Sequence, residues 1–135
     1  MQSLKTVLLR HQLRGGNHYD WMLETPGGQR GPDADRLLTW RLPLPSWMWP
    51  QRVMAMEELI AHRRVYLRRS GAIGGRRGTV QQIDRGTAIV HQWHEDGGYF
   101  ELRLRHFQGL VQISRGPALR WRMRTLRDAQ PACHR

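Results

Sequence analysis

The sequence predicts a mainly β domain, a small closed or partly open β-barrel with long loops and one short helix. Short runs alternate apolar and polar residues with the two-residue period of a strand, and glycine-containing turns separate them. The chain has 135 residues, enough for one buried core and too few for two.

Residues 4–10 and 18–24 read as two strands joined through the turn-forming Arg14-Gly15-Gly16-Asn17, a hairpin. Alternation in the second strand sets Tyr19, Trp21 and Leu23 on a core face. His18, Asp20, Met22 and Glu24 fall on an opposite, polar face. Residues 25–36, rich in Gly, Pro and Asp, read as a loop, and residues 37–42 as a strand. Residues 43–50 hold three prolines and a serine, which exclude regular structure; Trp47 and Trp49 there are expected to cap a barrel end or a groove. Residues 53–64, with Met-Glu-Glu-Leu-Ile-Ala-His inside them, give the short helix. Residues 78–83 and 87–93 read as strands around an Asp84-Arg85-Gly86 turn. Residues 99–105 form the clearest strand, with Phe100, Leu102 and Leu104 against Glu101, Arg103 and Arg105. Residues 110–115 make a further strand. Residues 1–117 are thus assigned to the barrel and 118–135 to a basic C-terminal strand or tail.

The net charge is +11, with 22 basic residues of which Lys5 is the only lysine. That charge favours a polyanionic partner, nucleic acid before an anionic membrane, and the arginine fork suits phosphate. The single cysteine, Cys133, excludes an internal disulfide, and no apolar run reaches the length of a membrane span. A soluble, cytoplasmic monomer without a membrane partner is expected.

His18 and Asp20 leave one strand face with Cα atoms roughly 6.5 to 7 Å apart. His11 reaches the same place if the hairpin folds back. Two imidazoles and a carboxylate suit a divalent ion such as Mn²⁺ or Zn²⁺ and leave positions open for phosphate and water. Alone, the His-x-Asp pattern fits polar surface as well as a metal site. His91 and His94 are spaced to point to opposite faces and read as solvated. Trp21 and Trp93 read as packing, whereas Trp47 and Trp49 are the candidates for stacking on bases.

The segment His18-Tyr19-Asp20-Trp21-Met22-Leu23-Glu24 resembles the His-Tyr-Asp-x-Arg-Leu-Glu strand of the 3′-phosphoesterase domain family of bacterial DNA ligase D, and His11 is similar to its upstream histidine. Leu38-Thr39-Trp40, His62 through Tyr66, Gly71-x-Ile73, Gly78 through Thr87, and the pair of strands from Phe100 to Arg115 resemble later family segments in the same order. The resemblance implies a small β-barrel that trims 3′ ends of DNA in end-joining repair, removing a terminal ribonucleoside and a 3′-phosphate with manganese as preferred metal. It makes His11, His18 and Asp20 the metal ligands. It places His62 beside the scissile phosphate as phosphate ligand or general acid, with Tyr66 in support. The implied partners are DNA ends, RNA-terminated ones included, with ligation left to a separate end-joining ligase.

The sequence departs from that pattern at three places. Met22 stands where the family has arginine, Pro43-Leu44-Pro45 lacks a lysine, and Gly74-Gly75-Arg76-Arg77-Gly78 lacks an acidic residue. Arg14, Arg41 and Arg76 are the candidate replacement cations for phosphate. Two functions follow: a metal-dependent 3′-phosphoesterase, or a nucleic-acid-end-binding module that keeps the barrel without turnover.

Overall fold

The computed structural model describes residues 2–28, 36–67, 71–72 and 78–128. They form strands β1 (Ser3–Leu13), β2 (Gly16–Glu24), β3 (Arg36–Leu42), β4 (Val53–Arg63), β5 (Gly71–Ala72), β6 (Thr79–His94), β7 (Gly97–Leu104), β8 (Gln108–Arg115) and β9 (Arg120–Asp128). Two 3-10 turns, Ser46–Met48 and Arg64–Leu67, are the only helical pieces among the described residues. No helix among those residues is long and apolar enough to cross a membrane.

Every pairing is antiparallel, in the order β1-β2-β3-β4-β9-β8-β7-β6, and β1 also pairs with β6. Eight strands therefore close into a ring, and closure removes the open edges on which another chain could pair. The short β5 adds to the beginning of β6.

Tryptophan fills the ring. Trp21 packs on Trp40 at 5.1 Å between centroids, Trp40 on Trp121 at 5.4 Å, and Trp49 lies edge-on to Trp21 and Phe107. Leu8, Leu23, Leu102 and Ile113 pack around them. Trp49 is fully buried and donates its indole N–H to the Leu44 carbonyl, so it plugs the ring and cannot stack on a base; Trp47 remains half exposed beside His106. Trp21 and Trp93 pack in the core as expected, Trp93 against Phe100.

A smaller apolar cluster lies on the opposite, outward face of the same sheet. Val7, Leu9, Met22, Leu37 and Val80 are covered there by Tyr66 and Leu67 from the second 3-10 turn. β1 and β2 are consequently buried on both faces over part of their length. The face of β2 read as polar is in fact polar only at its ends, since Met22 is 1% exposed.

Two expectations for the elements are corrected. Residues 53–64 are not a helix, because Met54 and Met56 alternate into the core and β4 pairs with β3 and β9. Residues 84–86 are not a turn, since β6 runs unbroken from Thr79 to His94. Gly86 is needed there for close approach: a Cβ on it would meet the Arg103 carbonyl oxygen at 1.8 Å. Of the two readings of the C-terminal segment, Arg120–Asp128 is a strand of the ring, between β4 and β8. Ile73, Arg76, Arg77 and Cys133 lie outside the described residues.

Candidate metal centre

The β1–β2 hairpin turns at Arg14-Gly15, and its register sets His11 directly opposite His18. The two imidazoles meet with Nδ1 of His11 2.9 Å from Nε2 of His18. Asp20, two residues along β2, turns the same way: Oδ2 is 3.6 Å from His11 Nδ1, and Oδ1 is 3.5 Å from His18 Nε2. One ligand atom from each residue falls within 4.8 Å of the others, so the three can hold a metal ion.

The electrostatics fit a cation. Asp20 is 3% exposed, and its Oδ1 is buried without a hydrogen-bond partner. A buried carboxylate oxygen so placed is costly unless a positive charge meets it. Burial raises the Asp20 pKa, opposed by His11, Arg41 and His62. Burial, then the Arg41 guanidinium and His11, lowers the His18 pKa to about 4. His18 is therefore neutral at physiological pH, the form that ligates a metal.

Three expected residues adjoin this group. Arg41 of β3 is the direct cross-strand partner of Asp20, with Nε 3.9 Å from Oδ1, and its far end is 3.9 Å from Glu57. Its Nε makes no hydrogen bond. His62 lies near enough to act on the Asp20 charge. Its Nδ1–H donates to the Ile60 carbonyl at 2.8 Å, so Nε2 is the ring nitrogen left to meet a substrate. Tyr66 packs edge-on against the His62 ring at 5.3 Å. Arg14 is exposed at the tip of the hairpin, and Arg76 lies outside the described residues. His91 and His94 are both exposed and join no metal-ligating group among the described residues.

Two features at the far end of the same hairpin escape a reading of the sequence. Glu24, at the end of β2, accepts the Lys5 backbone N–H at 2.6 Å and pairs with Arg64 at 2.7 Å, so it ties the cover over the outer cluster to the hairpin. A groove of about 670 Å³ opens beyond that cover, lined by Lys5, Arg64, Leu67 and Arg85. It lies at the Lys5 end of β1 rather than the His11 end, and only its cations relate it to phosphate. Neither protein-family models nor curated proteins give a match to the sequence.

Proposed function

We propose that this chain is a metal-dependent phosphoesterase of nucleic-acid 3′ ends, with His11, His18 and Asp20 as ligands of a manganese ion, zinc being the alternative. The observation that carries this reading is the convergence of two imidazoles on a buried carboxylate, one oxygen of which has no hydrogen-bond partner. Three protein ligands leave coordination positions for a phosphate oxygen and water. A divalent ion there supplies charge neutralisation at phosphorus and a more acidic water.

The chain's own residues account for the rest. Arg41 sits beside the ligand carboxylate, only weakly engaged with Glu57, and can turn to a phosphate oxygen. His62, through Nε2, is the residue to ligate the phosphate or give a proton to the leaving oxygen, and Tyr66 braces its ring. The likeness to the ligase D 3′-phosphoesterase strand supports DNA ends, RNA-terminated ones included, as substrate and end-joining repair as setting.

A primer-template ending in a 3′-phosphate or a single 3′-ribonucleotide tests the proposal directly. The wild type trims it in Mn²⁺. His62→Ala suppresses trimming while one Mn²⁺ per chain is still bound, and Arg41→Gln slows it by ~10² to 10³. His18→Ala with Asp20→Ala abolishes binding and trimming together. The apolar packing of Met22, where the family carries arginine, favours the second reading, a module that binds ends without cutting them. Bound but intact ends across several divalent metals would establish that reading and remove the enzyme.

A further inference from the structure

β9 presents a row of arginines to solvent. Trp121 and Met123 point into the core, so Arg120, Arg122 and Arg124 point outward, and all three are exposed. Alternate residues of a strand stand ~6.8 Å apart, so three guanidinium stems span ~13.5 Å in line. A DNA strand offers about four phosphates along that length of duplex.

The neighbours leave the row unneutralised. On the β8 side, Arg124 faces Gln112 and Arg122 faces Ser114. On the β4 side, Arg124 faces Val53 and Arg122 faces Ala55. Only Arg120 has an acidic cross-strand neighbour, Glu57, and that carboxylate leans toward Arg41. No ion pair involving the three arginines occurs among the described residues. Arg64, Arg103 and Arg115, by contrast, are each paired with a glutamate.

The row also has a fixed relation to the metal centre. Asp20, Arg41, Glu57 and Arg120 are successive cross-strand partners on β2, β3, β4 and β9. At ~4.8 Å per strand, the row begins ~14 Å around the outer surface from Asp20. It is separate from the metal centre and continuous with the same face.

We infer that the outer face of β9 is a sequence-independent docking surface for a nucleic-acid phosphate backbone. The occupant is chosen by charge complementarity: a straight row of planar, unneutralised forks matches a linear polyanion. The inference rests on the nucleic-acid partner of the proposed function but not on its catalysis.

The test measures binding of the full chain to a 20-base-pair duplex as salt is varied. Replacing Arg120, Arg122 and Arg124 together with glutamine should lower the slope of log affinity against log salt by about 2 to 3, and Arg122→Gln alone by about 1. A control with the same charge loss away from β9, Arg85, Arg103 and Arg105 to glutamine, should leave the slope nearly unchanged. An unchanged slope in the β9 variants, or an equal loss in the charge control, overturns the surface. Wild type that ignores duplex but binds vesicles of anionic phospholipid through the same arginines overturns the choice of occupant. A wild type that binds with the full slope but trims no 3′ end overturns the enzyme and leaves this surface standing.

Discussion

Met22 and Asp20 share one side of β2, two residues apart, and burial treats them in opposite ways. Met22 gains from its place among Val7, Leu9, Leu37 and Val80. Met22→Arg would put a guanidinium into that cluster and destabilise the fold by on the order of 3 kcal/mol, whereas Met22→Leu should cost less than ~1.5 kcal/mol. Urea midpoints of the two variants check this; equal midpoints would mean the outer cluster contributes little. Asp20 pays for its burial unless a cation is bound. Its folded pKa is raised, so the native state holds a proton more tightly than the unfolded chain, and stability declines as pH rises from 3.8 through the folded value. His18 has the opposite linkage: with its folded pKa lowered to about 4, stability falls as pH drops from 6.5 through about 4. Metal-free Asp20→Asn should therefore be more stable than wild type at pH 7, and should lose the excess as the pH is lowered toward 3.8. In saturating Mn²⁺ the order should reverse, because the variant has lost a ligand. Thermal denaturation with and without metal reads both signs, and a variant less stable in both states would show that Asp20 is held by something other than a cation.

At the scale of elements, what was legible depended on whether local preference and ring closure agreed. β2 and β7 alternate cleanly, and their inward residues Trp21, Leu23, Phe100, Leu102 and Leu104 are in the core. β4 carries Met-Glu-Glu-Leu-Ile-Ala, all helix-tolerant residues, yet it must bridge β3 and β9, and tertiary pairing overrides so weak a local preference. β6 conceals its continuity for another reason. Asp84 and Gly86 look like turn residues, but Asp84 is a buried clamp. Its carboxylate accepts the Ser46 hydroxyl at 2.5 Å and the backbone N–H groups of Arg85, Arg105 and His106. One side chain thereby fastens the 43–50 loop and the β7–β8 turn to β6. Gly86 lets β7 approach within hydrogen-bonding distance of a backbone that any Cβ would push away. Gly86→Ala should destabilise by about 1–3 kcal/mol or more through overpacking. Asp84→Ala, which strands donors at three places, should cost about 3 kcal/mol or more. Both are measured by denaturant unfolding, and a loss under ~0.5 kcal/mol in either would place the constraint elsewhere.

Over the whole molecule, the ring explains why part of the site could be read from residues and part could not. His18 and Asp20 are joined by a two-residue spacing, and His11 by a hairpin whose turn residues are visible, so the ligand group needs only local geometry. Arg41 needs the register of β2 on β3, and the β9 arginines need the knowledge that residues 120–128 return between β4 and β8; no local pattern contains either fact. The same architecture sets the thermodynamic effect of the metal. All three candidate ligands lie on one hairpin, but the hairpin is held in register by pairing with β3 and β6, so their arrangement belongs to the native state. An ion that binds only the native state stabilises by about 2.7 kcal/mol at a free concentration a hundred times its Kd. For a domain of this size that is a rise in Tm of roughly 8–10 °C. Manganese should therefore raise the Tm of the wild type by that amount, a chelator should reverse it, and His18→Ala with Asp20→Ala should show no rise. The β9 arginine variants, on the opposite side of the ring from β1, should keep the full rise. An equal rise in the double ligand variant would move the ion to another site, and no rise in the wild type at millimolar Mn²⁺ or Zn²⁺ would leave His11, His18 and Asp20 as a polar cluster without a metal.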